Sequence, residues 1–238
     1  MPRTDPGERI YAIGDVHGCY ELMRRLIDRI GEHHAALPEP RALHIVFLGD
    51  LIDRGPDSAA VLDFVYNLQL KSDRVVTLLG NHEEAMLNVL DGDASMLRHW
   101  LGFGGRETLQ SFDIDPPAPD EHPREFLRRL QSGTPRAIVR WLRSLPLTAQ
   151  SGDYFFCHAG VRPDVSLRRQ SRKDLLWIRD DFLDHDEELD AVIVHGHSIE
   201  RNTVIRPHRI GVDSGAYVTG KLSAIYLEDD RQEFISVA

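Results

Sequence analysis

Short apolar runs alternate along this chain with amphipathic stretches, and the first runs each stop at a polar cluster that contains or adjoins a glycine. Residues 10–13, 43–48, 75–79 and 154–157 are too short for helices and rich in β-branched or aromatic side chains, so they read as buried strands. Between the first three, residues 20–30 and 58–70 carry apolar positions three and four apart, the spacing of one helix face. This β-α-β-α-β order predicts parallel strands whose ends share one edge of a sheet, where the polar clusters converge. Residues 83–145 read as helical and are expected against one edge of the sheet, with the proline-rich stretch 115–123 as a surface loop. Further apolar runs at 191–194, 203–205, 210–212, 222–227 and 233–237 predict a second, largely antiparallel sheet. No repeat, low-complexity tract or linker divides residues 1–238, so a single α/β domain is expected.

Composition narrows the class of function. Lys and Arg total 28 against 38 Asp and Glu, a formal charge of −10. That balance argues against nucleic acid or anionic lipid as a partner and is easily reconciled with a cation site. The two cysteines, Cys19 and Cys157, have no metal-type spacing, so neither a disulfide framework nor a thiolate zinc site is expected. Cys157 reads as a small buried strand residue. The N-terminal segment has no signal-peptide pattern and no run of about 18 apolar residues occurs, so a soluble cytoplasmic protein without membrane contact is expected.

The chemistry lies at the strand ends. Gly14-Asp15-Val16-His17-Gly18 sets a carboxylate and an imidazole two residues apart, a ligand pair for a borderline divalent metal, though the same pattern also makes turns and caps. Gly49-Asp50-Leu51-Ile52-Asp53-Arg54-Gly55 adds a carboxylate and an arginine whose planar fork matches phosphate oxygens; Asp53 with Arg54 also reads as a surface ion pair. Gly80-Asn81-His82-Glu83 offers an amide oxygen and an imidazole where Asn81 also reads as a helix N-cap. His158, in Cys157-His158-Ala159-Gly160, and His197, in His195-Gly196-His197-Ser198, complete the set. Either of these alone reads as structural, but five strand ends each delivering a metal-competent side chain argue for one site.

The ordered motifs GDVHG, GDLIDRG, GNHE, HAG and GHS resemble those of the PPP-type phosphoprotein phosphatases in the calcineurin-like metallophosphoesterase superfamily, especially bacterial and phage members. The resemblance runs from Gly14 to the stretch Asp213-Ser214-Gly215-Ala216. It implies two packed mixed β-sheets flanked by helices in four layers. It also implies two divalent metal ions, manganese first with iron or zinc as alternatives: one held by Asp15, His17 and Asp50, the other by Asp50, Asn81, His158 and His197. Asp50 would bridge. Hydrolysis would follow by in-line attack of a metal-bridging hydroxide. By the same resemblance His82 is the general acid oriented by Asp53, Arg54 binds phosphate oxygens, and Arg179 is the second phosphate clamp. Arg162, Arg168, Arg169 and Arg172 compete for that last role. His195 reads as structural or as support behind a ligand, and the seven histidines outside the motifs read as structural.

The expected activity is a protein phosphatase acting on phosphoserine or phosphothreonine, with phosphotyrosine and small phosphomonoesters also open. The alternative is a dinucleoside polyphosphate hydrolase, whose members resemble this family but typically lack the acidic residue at the position of Asp53 and carry GNHD in place of GNHE. Asp53 and Glu83 therefore favour the phosphatase. A remote third reading is an inactive phospho-binding module, against which stands the presence of every ligand position. The loop motif SAPNY of the eukaryotic phosphatases is absent.

Overall fold

The structure, a computed structural model, describes residues 1–200 and 204–238. Strand β1 (Glu8–Ile13), helix α1 (Tyr20–Ala35), β2 (Ala42–Phe47), α2 (Ser58–Lys71) and β3 (Val75–Thr77) follow in the predicted order. The three strands pair in parallel, Ile13 opposite Phe47 and Phe47 opposite Thr77, so all three end at one edge. Helix α1 buries Met23, Leu26 and Ile30, and α2 buries Val61, Leu62 and Val65, the three- and four-residue spacing read from the sequence.

The predicted helical stretch is α3 (Asn81–Leu90), α4 (Ala94–Trp100), a kinked turn at Leu101–Gly105 in which Gly104 is non-helical, α5 (Arg106–Ser111), α6 (Pro123–Gly133) and α7 (Arg136–Ser144). The proline-rich break falls between α5 and α6, and Pro123 itself opens α6, where its missing N–H costs nothing.

The second sheet is built from β4 (Thr148–Ser151) and β5 (Tyr154–Cys157), followed by α8 (Arg172–Trp177), α9 (Asp180–Leu183), β6 (Val192–His195), β7 (Val204–Ile205) and β8 (Arg209–Gly211). Its order is β4-β5-β6-β8-β7. β5, β6 and β8 run parallel, so the sheet is mixed rather than largely antiparallel. Thr203 of the predicted strand 203–205 lies outside the described residues.

After α10 (Ala216–Thr219), the chain returns to the first sheet: β9 (Leu222–Glu228) lies antiparallel to β1, and β10 (Arg231–Val237) lies antiparallel to β9. The expectation that both join the second sheet fails because a buried strand reads alike in either sheet, and the choice is made by contacts such as Ile13 opposite Ala224. The sequence reading also missed β4, which is short, polar and only partly buried.

Alternation along the strands makes the layers. Ile10, Ala12 and Val46 from the first sheet meet Phe156, Val194 and Ile210 from the second in one core. Tyr11, Ile13 and Phe47 point the other way, onto α1 and α2. Phe155, Cys157 and Ile193 carry the outer face of the second sheet against Leu175, Ile178 and Phe182. Each fully buried large apolar side chain contributes about 1.5–3 kcal/mol, so both faces of both sheets hold the four-layer α/β sandwich together. Among the described residues no helix is long and apolar enough to cross a membrane.

Candidate active site

The loops that follow β1 and β2 are hydrogen-bonded to each other. The backbone N–H groups of Val16 and His17 donate to the Asp50 carbonyl at 3.1 and 2.9 Å, and Gly55 N–H donates to the His17 carbonyl at 3.0 Å. The loop after β3 packs closely enough that a side chain at Gly80 would strike Asp50, and Gly49, at φ +96°, lies against Gly80 in turn. Among the described residues, five of the seven non-glycine residues with positive φ are His17, Asp50, Asp53, Arg54 and His197, all singled out from the sequence. Such backbone costs on the order of 1–3 kcal/mol per residue and persists where the surroundings impose it, as at functional sites.

Asp50 stands at the centre. Its Oδ2 is 3.6 Å from His17 Nε2, and its Oδ1 is 3.4 Å from His158 Nε2. The ligand atoms of His17, Asp50 and His82 lie within 4.8 Å of one another, as do those of Asp50, His158 and His197, so two groups that could hold metal ions share one carboxylate. Asn81 Oδ1 sits 2.8 Å from His158 Nε2 and 3.0 Å from His197 Nδ1. Asp15 is buried beside this cluster with its carboxylate accepting from the His197 backbone N–H, at 3.0 Å for the nearer oxygen, and it is in neither group.

The donor set fits a pair of cations. His17 Nδ1 donates to the Ile52 carbonyl and His158 Nδ1 to the Leu48 carbonyl, both at 2.8 Å. In the neutral tautomer these bonds imply, each Nε2 presents a lone pair. His158 Nε2 faces oxygens of Asn81 and Asp50; burial would lower its pKa, but Asp50 outweighs it, so this position draws positive charge, which a cation would supply. His197 Nε2 is buried without a hydrogen-bond partner among the described residues. Burying carboxylates without compensating charge is costly, and burial with neighbouring Asp213 and Asp50 pushes Asp15 well above its ordinary value. Burial also raises Asp213, to about 6, with Asp50 adding to the effect. Asp50 is opposite: burial would raise it, but His158, His82 and His17 surround it and hold it well below the carboxylate range. Imidazole nitrogens with carboxylate and amide oxygens suit borderline divalent ions.

His82, the first turn of α3, packs its Nδ1 2.6 Å from Asp53 Oδ2. Asp53 is fully buried; Thr108 donates to its Oδ1 at 2.5 Å, and the Trp100 indole N–H reaches both oxygens at 3.1 and 3.2 Å. Burial would lower the His82 pKa, but Asp50 and then Asp53 outweigh it and hold the ring at about 9. Trp100 and Thr108 were not singled out from the sequence. They come from α4 and α5, 47 and 55 residues past Asp53, and helical periodicity gives them no distinguishing mark.

Glu83 is wholly buried, and its two oxygens accept from the backbone N–H groups of Gly80, Asp50, Leu51 and Ile52 at 2.8–3.1 Å. It ties the loop after β2 to the start of α3. Gly80 is the N-cap and Asn81 lies inside the helix, so the cap read at Asn81 moves back one residue.

Arg54 lies with its guanidinium carbon 5.3 Å from the centre of the Tyr217 ring, which in turn stands edge-on to His17 at 5.2 Å. Arg54 is thus not paired with Asp53, whose carboxylate is taken by His82, Thr108 and Trp100. Arg179 is exposed, and its charge acts on His197 and Asp213. His197 is lowered to about 2, first by burial and then by His158, with Arg179 contributing. Of the competing arginines, Arg162 is paired with Asp174 and Asp181, and Arg172 with Glu84. His195 is buried outside both metal groups, 3.4 Å from Arg209, and Cys157 is a buried strand residue whose thiol burial pushes up.

Residues 8–226 match the family described as calcineurin-like phosphoesterase, and the chain belongs to that family. Its members' dinuclear divalent chemistry agrees with the two ligand groups around Asp50. A symmetrical bis(5'-nucleosyl)-tetraphosphatase of Aromatoleum aromaticum is 34% identical over 154 residues, which is 65% of this chain and 45% of that protein. The chain spans about half the length of the curated relatives it matches. Among solved structures, a candidate diadenosine tetraphosphatase has a TM-score of 0.67 at 20% identity, covering 100% of this chain and 98% of that one. A cold-active protein-tyrosine phosphatase of a Shewanella species has a TM-score of 0.58 at 22% identity, covering 98% and 82%. At such identities the structural likeness shows the fold alone.

These relatives overturn the protein-phosphatase expectation and the placement among serine/threonine phosphatases, because the curated name is that of the competing hydrolase. The geometry explains the error. Asp53 and Glu83, the residues that favoured a phosphatase, are both buried and occupied by internal hydrogen bonds.

Proposed function

We propose that this protein hydrolyses dinucleoside polyphosphates, cutting a dinucleoside tetraphosphate at its centre into two nucleoside diphosphates. One water is consumed: its oxygen bonds to phosphorus as the bridging P–O bond on the opposite side breaks. The observation that carries this reading is the 34% identity with a symmetrical bis(5'-nucleosyl)-tetraphosphatase. The buried ligand cluster at the strand ends supports the reaction class.

In this reading Asp15, His17 and Asp50 would hold one divalent ion and Asp50, Asn81, His158 and His197 the other, manganese being the first to supply. Bound there, the pair would supply Lewis acidity toward a phosphoryl oxygen and lower the pKa of a water. Arg54 and Arg179 bind the nonbridging oxygens, whose negative charge persists through the transition state. His82, kept charged by Asp50 and Asp53, donates a hydrogen bond to the departing oxygen. That oxygen belongs to a phosphate, a much weaker base than an alkoxide, so full proton transfer matters less than it would for a phosphomonoester.

The test is a comparison of turnover on diadenosine tetraphosphate and on phosphoserine and phosphotyrosine peptides with manganese supplied, products resolved by ion exchange. Adenosine diphosphate as the sole nucleotide product, formed faster than peptide phosphate is released, is expected. Faster release of phosphate from peptides would overturn the reading.

A further inference from the structure

We propose that Phe103 and Trp177 form an aromatic platform on which a nucleobase of the substrate stacks, and that this platform selects nucleotides over other phosphate esters. The inference rests on the dinucleoside polyphosphate reading and identifies the part of the site that would recognise its nucleoside.

The two rings arrive from unrelated parts of the chain. Their centroids lie 6.4 Å apart at an interplanar angle of 52°, so they do not stack on each other and neither fills the other's face. Phe103 is 6.0 Å from the His82 ring, and Trp177 is 6.5 Å from His197, which puts the pair at the rim of the ligand cluster. Both rings are partly exposed, whereas Trp100 and Trp141 are buried.

Each ring is held by its own device. Phe103 stands among glycines at the kink between α4 and α5, where Gly104 leaves helical backbone. Gly104, at φ +114°, approaches Arg54 so closely that a side chain there would strike its backbone, and its carbonyl accepts from Arg54 N–H at 3.3 Å. The aromatic ring is therefore tied to the arginine assigned to phosphate. Trp177 donates its indole N–H to Glu84 at 2.7 Å, and Arg172 fixes the same carboxylate at 2.6 Å. A partly exposed indole that contributed only burial would not need a charged pair to orient it. His99 stacks on Phe103 at 6.4 Å and 30°. Trp177 and Arg179 also share the wall of a cavity of about 320 Å³; of its acids Asp174, Asp180 and Asp181, the first and last are paired with Arg162. A purine offers a π-face to such a platform, and removing one stacking ring typically weakens binding by about tenfold or more.

Trp177 makes the test direct. With manganese supplied, intrinsic fluorescence of the full chain is titrated with adenosine diphosphate, inorganic pyrophosphate and phenyl phosphate. Saturable quenching by adenosine diphosphate alone is expected, and Trp177→Leu should abolish it. Phe103→Ala, which keeps the reporting indole, should raise the adenosine diphosphate Kd about tenfold, with Phe103→Tyr restoring it. In turnover of diadenosine tetraphosphate the same variants should raise KM more than they lower kcat. Quenching by phenyl phosphate as strong as by adenosine diphosphate, or an unchanged Kd in Phe103→Ala, would overturn the platform. The parent reading fails by a separate sign: wild-type protein that splits phenyl phosphate and leaves diadenosine tetraphosphate intact.

Discussion

Oδ2 of Asp53 lies 2.6 Å from Nδ1 of His82, with both side chains buried. The contact turns the other ring nitrogen of His82 toward Asp50, 3.9 Å away. Thr108 and Trp100 hold the carboxylate from behind, so the orientation of one imidazole is set by four side chains from three segments of the chain.

His82→Asn should separate proton donation from charge stabilisation. On an alkyl phosphate such as glycerol 2-phosphate, kcat/KM should fall by about 10²–10⁴, because the alkoxide must be protonated as it leaves. On diadenosine tetraphosphate the loss should be smaller, since the leaving phosphate has a pKa of about 6. Equal losses on the two substrates would remove the proton-donor role.

Thr108→Val replaces the hydroxyl that donates to Asp53 Oδ1 and accepts from its backbone N–H with a methyl of similar shape. Trp100 still donates to the carboxylate and Ser58 Oγ still accepts from the backbone N–H, so the loss is that of the hydroxyl's own bond to a charged group, about 1.5–3 kcal/mol. In a chain of this size each kcal/mol lowers Tm by about 2–4 °C. Calorimetry should show that fall together with reduced kcat, and an unchanged Tm would mean that the hydroxyl is dispensable.

Glu83→Gln sets an amide NH2 against backbone N–H groups that now point at a carboxylate. The loop bearing Asp50 should loosen, and manganese affinity, measured by calorimetric titration, should drop about 10–100-fold, the usual effect of losing support behind a ligand. The preference for dinucleotide over phosphopeptide should not change in this variant. A shift of that preference toward phosphopeptides would restore Glu83 as a marker of substrate.

Metal supply should be readable as stability. Manganese at 100 times its dissociation constant should add about 2.7 kcal/mol, which chelation removes. Scanning fluorimetry should show Tm rising with manganese in the wild type and much less in Asp50→Asn, which lacks the shared carboxylate. An equal rise in both proteins would place the bound ions elsewhere.

What could be read from the chain was local. The strand that ends at Ile13, the turn at Gly14 and the candidate ligands Asp15 and His17 fall close together in sequence, from Glu8 to His17, and the same holds for Asp50 after β2 and Asn81 after β3. Period, turn chemistry and ligand type therefore named the elements and the metal-competent residues before any contact was known. Parallel pairing followed from the alternation of strand and helix.

The rest was decided by contacts across long stretches of chain. β9 joined the first sheet because its register with β1 buries Ile225 and Leu227 between the sheets, a choice invisible in an apolar run. Trp100 and Thr108 became partners of Asp53, and Phe103 met Trp177, only when the helical region folded back onto the strand ends. Burial likewise gave Asp53 and Glu83 their meaning. From the chain alone their carboxylates read as marks of a substrate, whereas the folded protein surrounds each with internal donors and leaves nothing of either for a ligand. Residue type and spacing thus determined which chemistry this protein carries, and tertiary packing determined which of those groups face a substrate, because hydrogen-bond satisfaction inside a core depends on neighbours that sequence order does not bring together.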